Sequence, residues 1–313
     1  MRILVTGASG YIGRALVARL AEQGHRLLCV RRSADGAHES RDNVRWISIA
    51  NFDSTVDWSA WMVGMECIIH LAAHVHWADE SGRQPTHHQV NVEGTRRLAW
   101  QACDAGVKRF VFLSTVKVHG ETNPLDDFSV ARPFTEEDKP APQDAYARSK
   151  WAAEQALYEI VAESELALTV LRSPLVYGPQ VRANFLTLMR WANSTVPLPF
   201  AAINNRRSFV YLHNLVDAIV HCLQHDGAWG ETFLVSDDMD LSTAELCQRL
   251  RSALNSSAVV FRVSPSVLRG IAQLSGRAAQ AQRLLDSLFI DISKIKQRLD
   301  WTPPHSVEVG LRE

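Results

Sequence analysis

The sequence predicts an α/β protein built on a doubly wound parallel sheet, with a smaller C-terminal α/β lobe. Three observations carry this expectation. Short apolar runs alternate with longer segments of helical period, a glycine-rich turn follows the first run, and the alternation loosens after about residue 172. Of 313 residues, 46% are hydrophobic and 21% charged, which is enough apolar material for a large core and excludes a disordered chain.

Strands are predicted at residues 3–6, 27–30, 45–49, 67–71, 110–114 and 168–172, and helices at 11–23, 90–105 and 145–163. Proline and glycine thicken between 123 and 142, which reads as a long surface loop of functional interest. Further on, short strands at 209–212, 232–235 and 259–263 mix with helices at 215–224 and 243–254, the latter opening with a capping box from Ser242 to Glu245. Residues 1–172 form the first domain, and 173–313 a lobe partly interleaved with it.

Lysine and arginine total 33 against 34 acidic residues, so the net charge of -1 offers nothing to a nucleic acid or an anionic membrane surface. A small-molecule partner is expected instead. Five cysteines are an odd count, mostly inside apolar runs, and read as reduced, packed thiols. The first strand is too short for a signal sequence, and nothing approaches the roughly 20 apolar residues of a membrane span, so a cytoplasmic location is expected.

The first predicted strand runs into Thr6-Gly7-Ala8-Ser9-Gly10-Tyr11-Ile12-Gly13, and a helix follows. Gly7, Gly10 and Gly13 allow a tight turn, a close backbone approach to a pyrophosphate and close helix packing, with Tyr11 and Ile12 at the helix N-terminus that faces the anion. In this context the turn predicts a Rossmann-type dinucleotide site. The second strand ends in Arg31 and Arg32 rather than an acid, which favours a 2′-phosphate and hence NADP(H), with NAD(H) as the alternative. Asn51, with Phe52 beside it, follows the third strand near the adenine, and Leu71, Ala72 and Ala73 lie beside the dinucleotide after the fourth. His70, His74 and His76 suggest zinc, but their spacing mixes strand and loop and no metal is expected.

Tyr146 and Lys150 stand one helical turn apart, an arrangement in which an ammonium can stabilise a phenolate. A strand ending in Ser114 and Thr115 brings two hydroxyls to the same sheet edge, where one can hold a substrate oxygen.

These segments, with His70-Leu71-Ala72-Ala73, Asn91-Val92-Glu93-Gly94-Thr95, residues 171–179 and Arg207-Ser208-Phe209-Val210-Tyr211, resemble the extended short-chain dehydrogenase/reductase family, in its nucleotide-sugar branch. The resemblance spans nearly the whole chain. It implies that Thr115, five residues before Gly120, is the catalytic hydroxyl beside Tyr146 and Lys150, with Ser114 as its neighbour. It also implies that Asn91, Ser173 and Leu175 lie on the cofactor side, that Asn184, Arg207 and Arg283 hold a diphosphate, and that Phe200 lines the base pocket. His119 replaces the tyrosine of the family's Val-Tyr-Gly sequence, which is expected to alter the sugar pocket.

The family's dehydratases carry two acids after the catalytic threonine, where this chain has Val116 and Lys117, so dehydration is not expected. Reduction at C4 of a UDP-4-keto-6-deoxy-N-acetylhexosamine is the leading expectation, given Arg31 and Arg32 and a C-terminal region that resembles bacterial surface-polysaccharide enzymes. A UDP-hexose 4-epimerase retaining NAD is the alternative, and a cofactor-sensing protein without chemistry a third. Apolar positions Leu98, Trp151, Leu157 and Val161 are compatible with a homodimer across the two long helices or with ordinary core packing.

Overall fold

The structure, a computed structural model, describes residues 1–32, 41–75, 86–128, 130–181, 183–256 and 259–313, with the backbone alone at 183 and 184. Its centre is a seven-stranded parallel sheet of order β3-β2-β1-β4-β5-β6-β9. The strands are β1 (Arg2–Thr6), β2 (Arg26–Arg31), β3 (Val44–Ser48), β4 (Cys67–His70), β5 (Arg109–Thr115), β6 (Ala167–Ser173), β7 (Leu175–Tyr177), β8 (Phe209–Tyr211) and β9 (Thr232–Leu234). β7 and β8 form a separate parallel pair. The helices are α1 (Tyr11–Glu22), α2 (Ser59–Met62), α3 (Thr95–Asp104), α4 (Ala145–Ala162), α5 (Ala183–Ala192), α6 (Leu212–Gln224), α7 (Thr243–Ala253), α8 (Pro265–Leu274), α9 (Ala278–Leu285), α10 (Ser293–Leu299) and α11 (Val307–Arg312).

The two-residue period of the strands divides the core. Ile3, Val5, Cys67, Ile69 and Val111 point to one face and pack with Leu16 and Leu20 of α1 and Leu215 and Ile219 of α6. Leu4, Ile68, Phe110 and Phe112 point to the other and meet Leu98 of α3 and Ala153, Leu157 and Ile160 of α4. Burial on both faces explains why the central strands read as unbroken apolar runs. Strand order reverses between β1 and β4, and their carboxyl ends open the crevice where ligands of such sheets bind.

Two expectations are corrected here, the helix at 90–105 and the strand at 259–263. The predicted helix at 90–105 begins as a π-helical turn, Gln89–Gly94, before α3; Asn91 is buried on this turn, and a side chain at Gly94 would strike the Phe52 ring. Residues 259–263 form no strand; Val260 makes a single bridge to Leu198. β9 joins the main sheet beside β6, so the C-terminal half supplies one of its edges. Among the described residues no helix is long and apolar enough to cross a membrane.

Candidate active site

At the end of β1 the chain turns with Gly7 at φ +67°, and the Gly10 N–H donates to the Gly7 carbonyl at 2.9 Å. A side chain at Gly7 would lie 2.7 Å from the Ala72 nitrogen, and one at Gly13 would strike the Gly7 carbonyl. The turn is therefore a cradle that only glycine leaves open. Gly10 caps α1 without a side-chain hydrogen bond, so the helix N-terminus offers its first N–H groups to an anion. The Tyr11 hydroxyl is buried without a hydrogen-bond partner, and burial pushes its pKa up to about 12. An open cradle beside an unsatisfied phenol fits a bound dinucleotide. Leu71, Ala72 and Ala73 are half-buried beside it.

Arg31 donates from Nε to Ser48 Oγ at 3.1 Å and lies 5.9 Å from the Trp46 ring centre, while Arg32 and Asn51 are exposed. The Phe52 ring is buried in the core, stacked on His70 at 5.1 Å, which leaves only its main chain for a ligand.

His70 is fully buried between two hydroxyls, 2.5 Å from Thr6 Oγ1 and 2.8 Å from Thr95 Oγ1. The Thr95 hydroxyl donates to the Asn91 carbonyl at 2.7 Å, so His70 Nε2 donates to Thr95 and its Nδ1 accepts from Thr6. Burial, reinforced by the Lys150 charge, holds the His70 pKa well below its usual range and keeps the ring neutral. The Asn91 side chain continues the connection, donating to Ser149 Oγ at 2.9 Å and to the His74 carbonyl at 3.1 Å, and accepting from the His74 N–H at 2.7 Å. One network thus joins the glycine turn, the loop after β4 and α4. Among the described residues no group of three or more histidines, cysteines or acids could hold a metal; His76 lies outside them.

Asp144 caps α4, accepting the Ala147 N–H at 2.6 Å, and Tyr146 and Lys150 follow on the first turns. The Lys150 ammonium sits 3.8 Å from the Phe112 ring centre, and burial, partly offset by Glu154, lowers its pKa to about 7. Burial and the Asp144 carboxylate push Tyr146 up to about 12. The direction of the Tyr146 shift is thus set by burial and the Asp144 carboxylate, and Lys150 is not among its causes. His87 approaches the Tyr146 ring at 6.2 Å between centres.

Thr115 ends β5 opposite Ser173 of β6, and its hydroxyl accepts the Lys117 N–H at 3.4 Å. Ser114 faces the other way and donates to Glu154, so the expected substrate contact from Ser114 is corrected: its hydroxyl belongs to a buried network. Arg172 there pairs with Glu154 at 2.6 Å and donates to His119 Nε2 at 2.9 Å, while His119 Nδ1 donates to the Asp138 carbonyl at 3.1 Å. Burial and the Arg172 charge lower the His119 pKa to about 4. His119 is buried in this network and stacks on Phe134, so its effect on a sugar pocket is indirect.

On the C-terminal side, Arg207 donates to the Asp286 carbonyl at 2.9 Å. Burial lowers its pKa, opposed by Glu121 and Asp286 and reinforced by Arg283, so the two predicted diphosphate arginines lie close enough to feel each other. Phe200 is buried, 6.4 Å from the Trp191 ring centre, and Leu175 is exposed at the start of β7. The Asn184 side chain lies outside the described atoms. Sequence reasoning missed Asp144, Glu154 and Arg172; Glu154 stands four residues after Lys150, a same-face signal that could have found it.

A parallel sheet with a glycine cradle at its switch point and a tyrosine–lysine pair on the neighbouring helix defines a short-chain dehydrogenase/reductase of the extended type. Residues 3–236 match the NAD dependent epimerase/dehydratase family. The chain belongs to that family and is an enzyme of it. A UDP-glucose 4-epimerase of Vibrio cholerae is 36% identical over 314 residues, covering 99% of this chain and 93% of that protein. Two crystal structures share the fold. A UDP-glucuronic acid 4-epimerase from Bacillus cereus in complex with NAD has a TM-score of 0.78 at 21% identity, covering 100% of this chain and 96% of that one. A UDP-glucose 4-epimerase from Thermotoga maritima with UDP-glucose has a TM-score of 0.75 at 24% identity, with the same coverage.

Proposed function

We propose that this chain moves hydride at C4 of a UDP-sugar, as an NADPH-dependent reductase of a UDP-4-keto-6-deoxy-N-acetylhexosamine. The observation that carries the reading is the placement of Tyr146 and Lys150 one turn apart at the start of α4, which the Thr6–His70–Thr95–Asn91–Ser149 network ties to the glycine cradle. A ketone reductase begins by giving a proton, and this phenol has one to give at neutral pH. The nicotinamide, when bound, supplies the hydride. Tyr146 Oη delivers the proton to the C4 oxygen while the Thr115 hydroxyl holds that oxygen in place. Lys150 holds the cofactor ribose and, where it is protonated, draws the tyrosine's developing charge. Gly7, Gly10 and Gly13 with the α1 N-terminus take the pyrophosphate, and Arg31 and Arg32 take a 2′-phosphate. Asn91, Ser173 and Leu175 border the cofactor, Asn184, Arg207 and Arg283 hold the sugar diphosphate, and Phe200 borders the base.

A second reading, 4-epimerisation with retained NAD, is supported by the Vibrio cholerae relative, whose similarity runs the length of both chains. The same three groups would then work first backward and then forward. Purified protein given NADPH and a UDP-4-keto-6-deoxy-N-acetylhexosamine separates the two. Consumption of reduced nicotinamide one-for-one with the sugar supports reduction; conversion of UDP-glucose or UDP-N-acetylglucosamine without net cofactor change supports epimerisation and overturns the first reading. A cytoplasmic homodimer, paired through the outer faces of α3 and α4, completes the proposal.

A further inference from the structure

The turn that follows β5, residues Val116–Val118, carries a lysine at the place where the family's dehydratases carry an acid. Lys117 Nζ lies 2.7 Å from Asp144 Oδ2 and 2.7 Å from Glu121 Oε1. The other Asp144 oxygen, Oδ1, caps α4 through the Ala147 N–H. One carboxylate therefore holds the start of the helix with one oxygen and the Thr115 turn, through Lys117, with the other. The side chains of Lys117, Asp144 and Glu121 are 24%, 29% and 14% exposed, so solvent screens them less than an ordinary surface pair.

We propose that Lys117 is a positioning residue, tying the Thr115 turn to the helix cap two residues before Tyr146 and setting the charge that Tyr146 meets. The assignment rests on the C4 oxidoreductase reading above. The titratable groups around Tyr146 are Asp144 and Lys150 on its own helix, His87 from the segment before Asn91, and Lys117 with Glu121 on the turn after β5. Burial and the Asp144 carboxylate both raise the Tyr146 pKa. Burial also raises that of Asp144, but Lys117 and the Ala147 N–H outweigh it and keep the carboxylate ionised. Lys117 thus sustains the carboxylate and at the same time masks it. Glu121 extends the line of alternating charges toward Arg207, whose cationic form it favours.

Asp144→Asn removes the carboxylate while keeping a good helix cap. Lys117→Met removes the cation and keeps an unbranched chain. Turnover in the reductive direction draws on a protonated Tyr146 and a charged Lys150, so its alkaline limb reports the coupled pair. Asp144→Asn should move this alkaline limb down by about one pH unit, Lys117→Met should move it up, and the double variant should return it toward wild type. Lys117→Arg should leave it in place. Loss of turnover in both single variants with an unmoved limb, or shifts of the same sign, overturns the proposal and leaves Lys117 a purely structural brace. The phenolate ultraviolet titration of each variant, taken as the difference from the same variant carrying Tyr146→Phe, reads the same shifts without catalysis. Opposite shifts there with no C4 activity would sink the functional reading alone; absent shifts with C4 activity would sink this inference alone.

Discussion

Tyr146 and Lys150 show what burial adds to an inference drawn from spacing. The four-residue interval brings them to one helix face, where Lys150 is buried and Tyr146 half-buried, and burial drives each toward its uncharged form. Tyr146 therefore keeps a proton at neutral pH. Tyr146→Phe should cut turnover 100-fold or more, of the order of an essential acid, with dinucleotide affinity nearly unchanged by equilibrium binding. His119 gives a second test at this scale. Its native pKa of about 4 lies below the usual 6.5, so its stabilising contribution is present above pH 6.5 and drains away as pH falls toward 4. Thermal unfolding from pH 7 to pH 4 should show this decline, worth about 3 kcal/mol in full, and His119→Gln should flatten it. Glycines 7, 10 and 13 were readable because backbone geometry leaves no other residue for them. Ser114 was not, because strand alternation turned it away from Thr115 and toward a glutamate that is distant in sequence.

At the scale of elements, the parallel strands and long helices were legible because both depend on local periodicity, and most of their bounds differ from expectation by only a residue or two. The π-helical turn before α3 was not, since the apolar spacing of 89–105 is that of an ordinary helix. Helices α9 to α11 escaped notice because they are short, whereas α8 carries an amphipathic pattern at Val267, Leu268, Ile271 and Leu274 that could have revealed it. The α4–β6 contact has its own prediction. Glu154 is fully buried against Arg172, and removing one member of such a pair leaves the other charged and unsatisfied. Glu154→Ala should lower unfolding free energy by about 3–5 kcal/mol in denaturant titration and release the Ser114 hydroxyl.

Across the whole molecule, α3 and α4 together present a face on which Trp100, 45% exposed, stands beside Arg96, Glu159 and Glu163. An indole left this open, with charges around it, suits a two-fold contact. Trp100→Glu should return the proposed homodimer to a monomer in sedimentation without altering circular dichroism; an unchanged sedimentation coefficient would remove this face from the proposal. The charge balance of the sequence said nothing of such a face, because composition carries no information about where residues meet.

β9 lies beside β6 although some sixty residues separate them, with Val170, Leu171 and Arg172 pairing with Thr232, Phe233 and Leu234. A nascent chain emerging from the ribosome would therefore expose the rim of its sheet until late in synthesis, a sticky template for neighbouring chains. A truncated product ending at residue 172 should aggregate rather than persist as a free nucleotide-binding module.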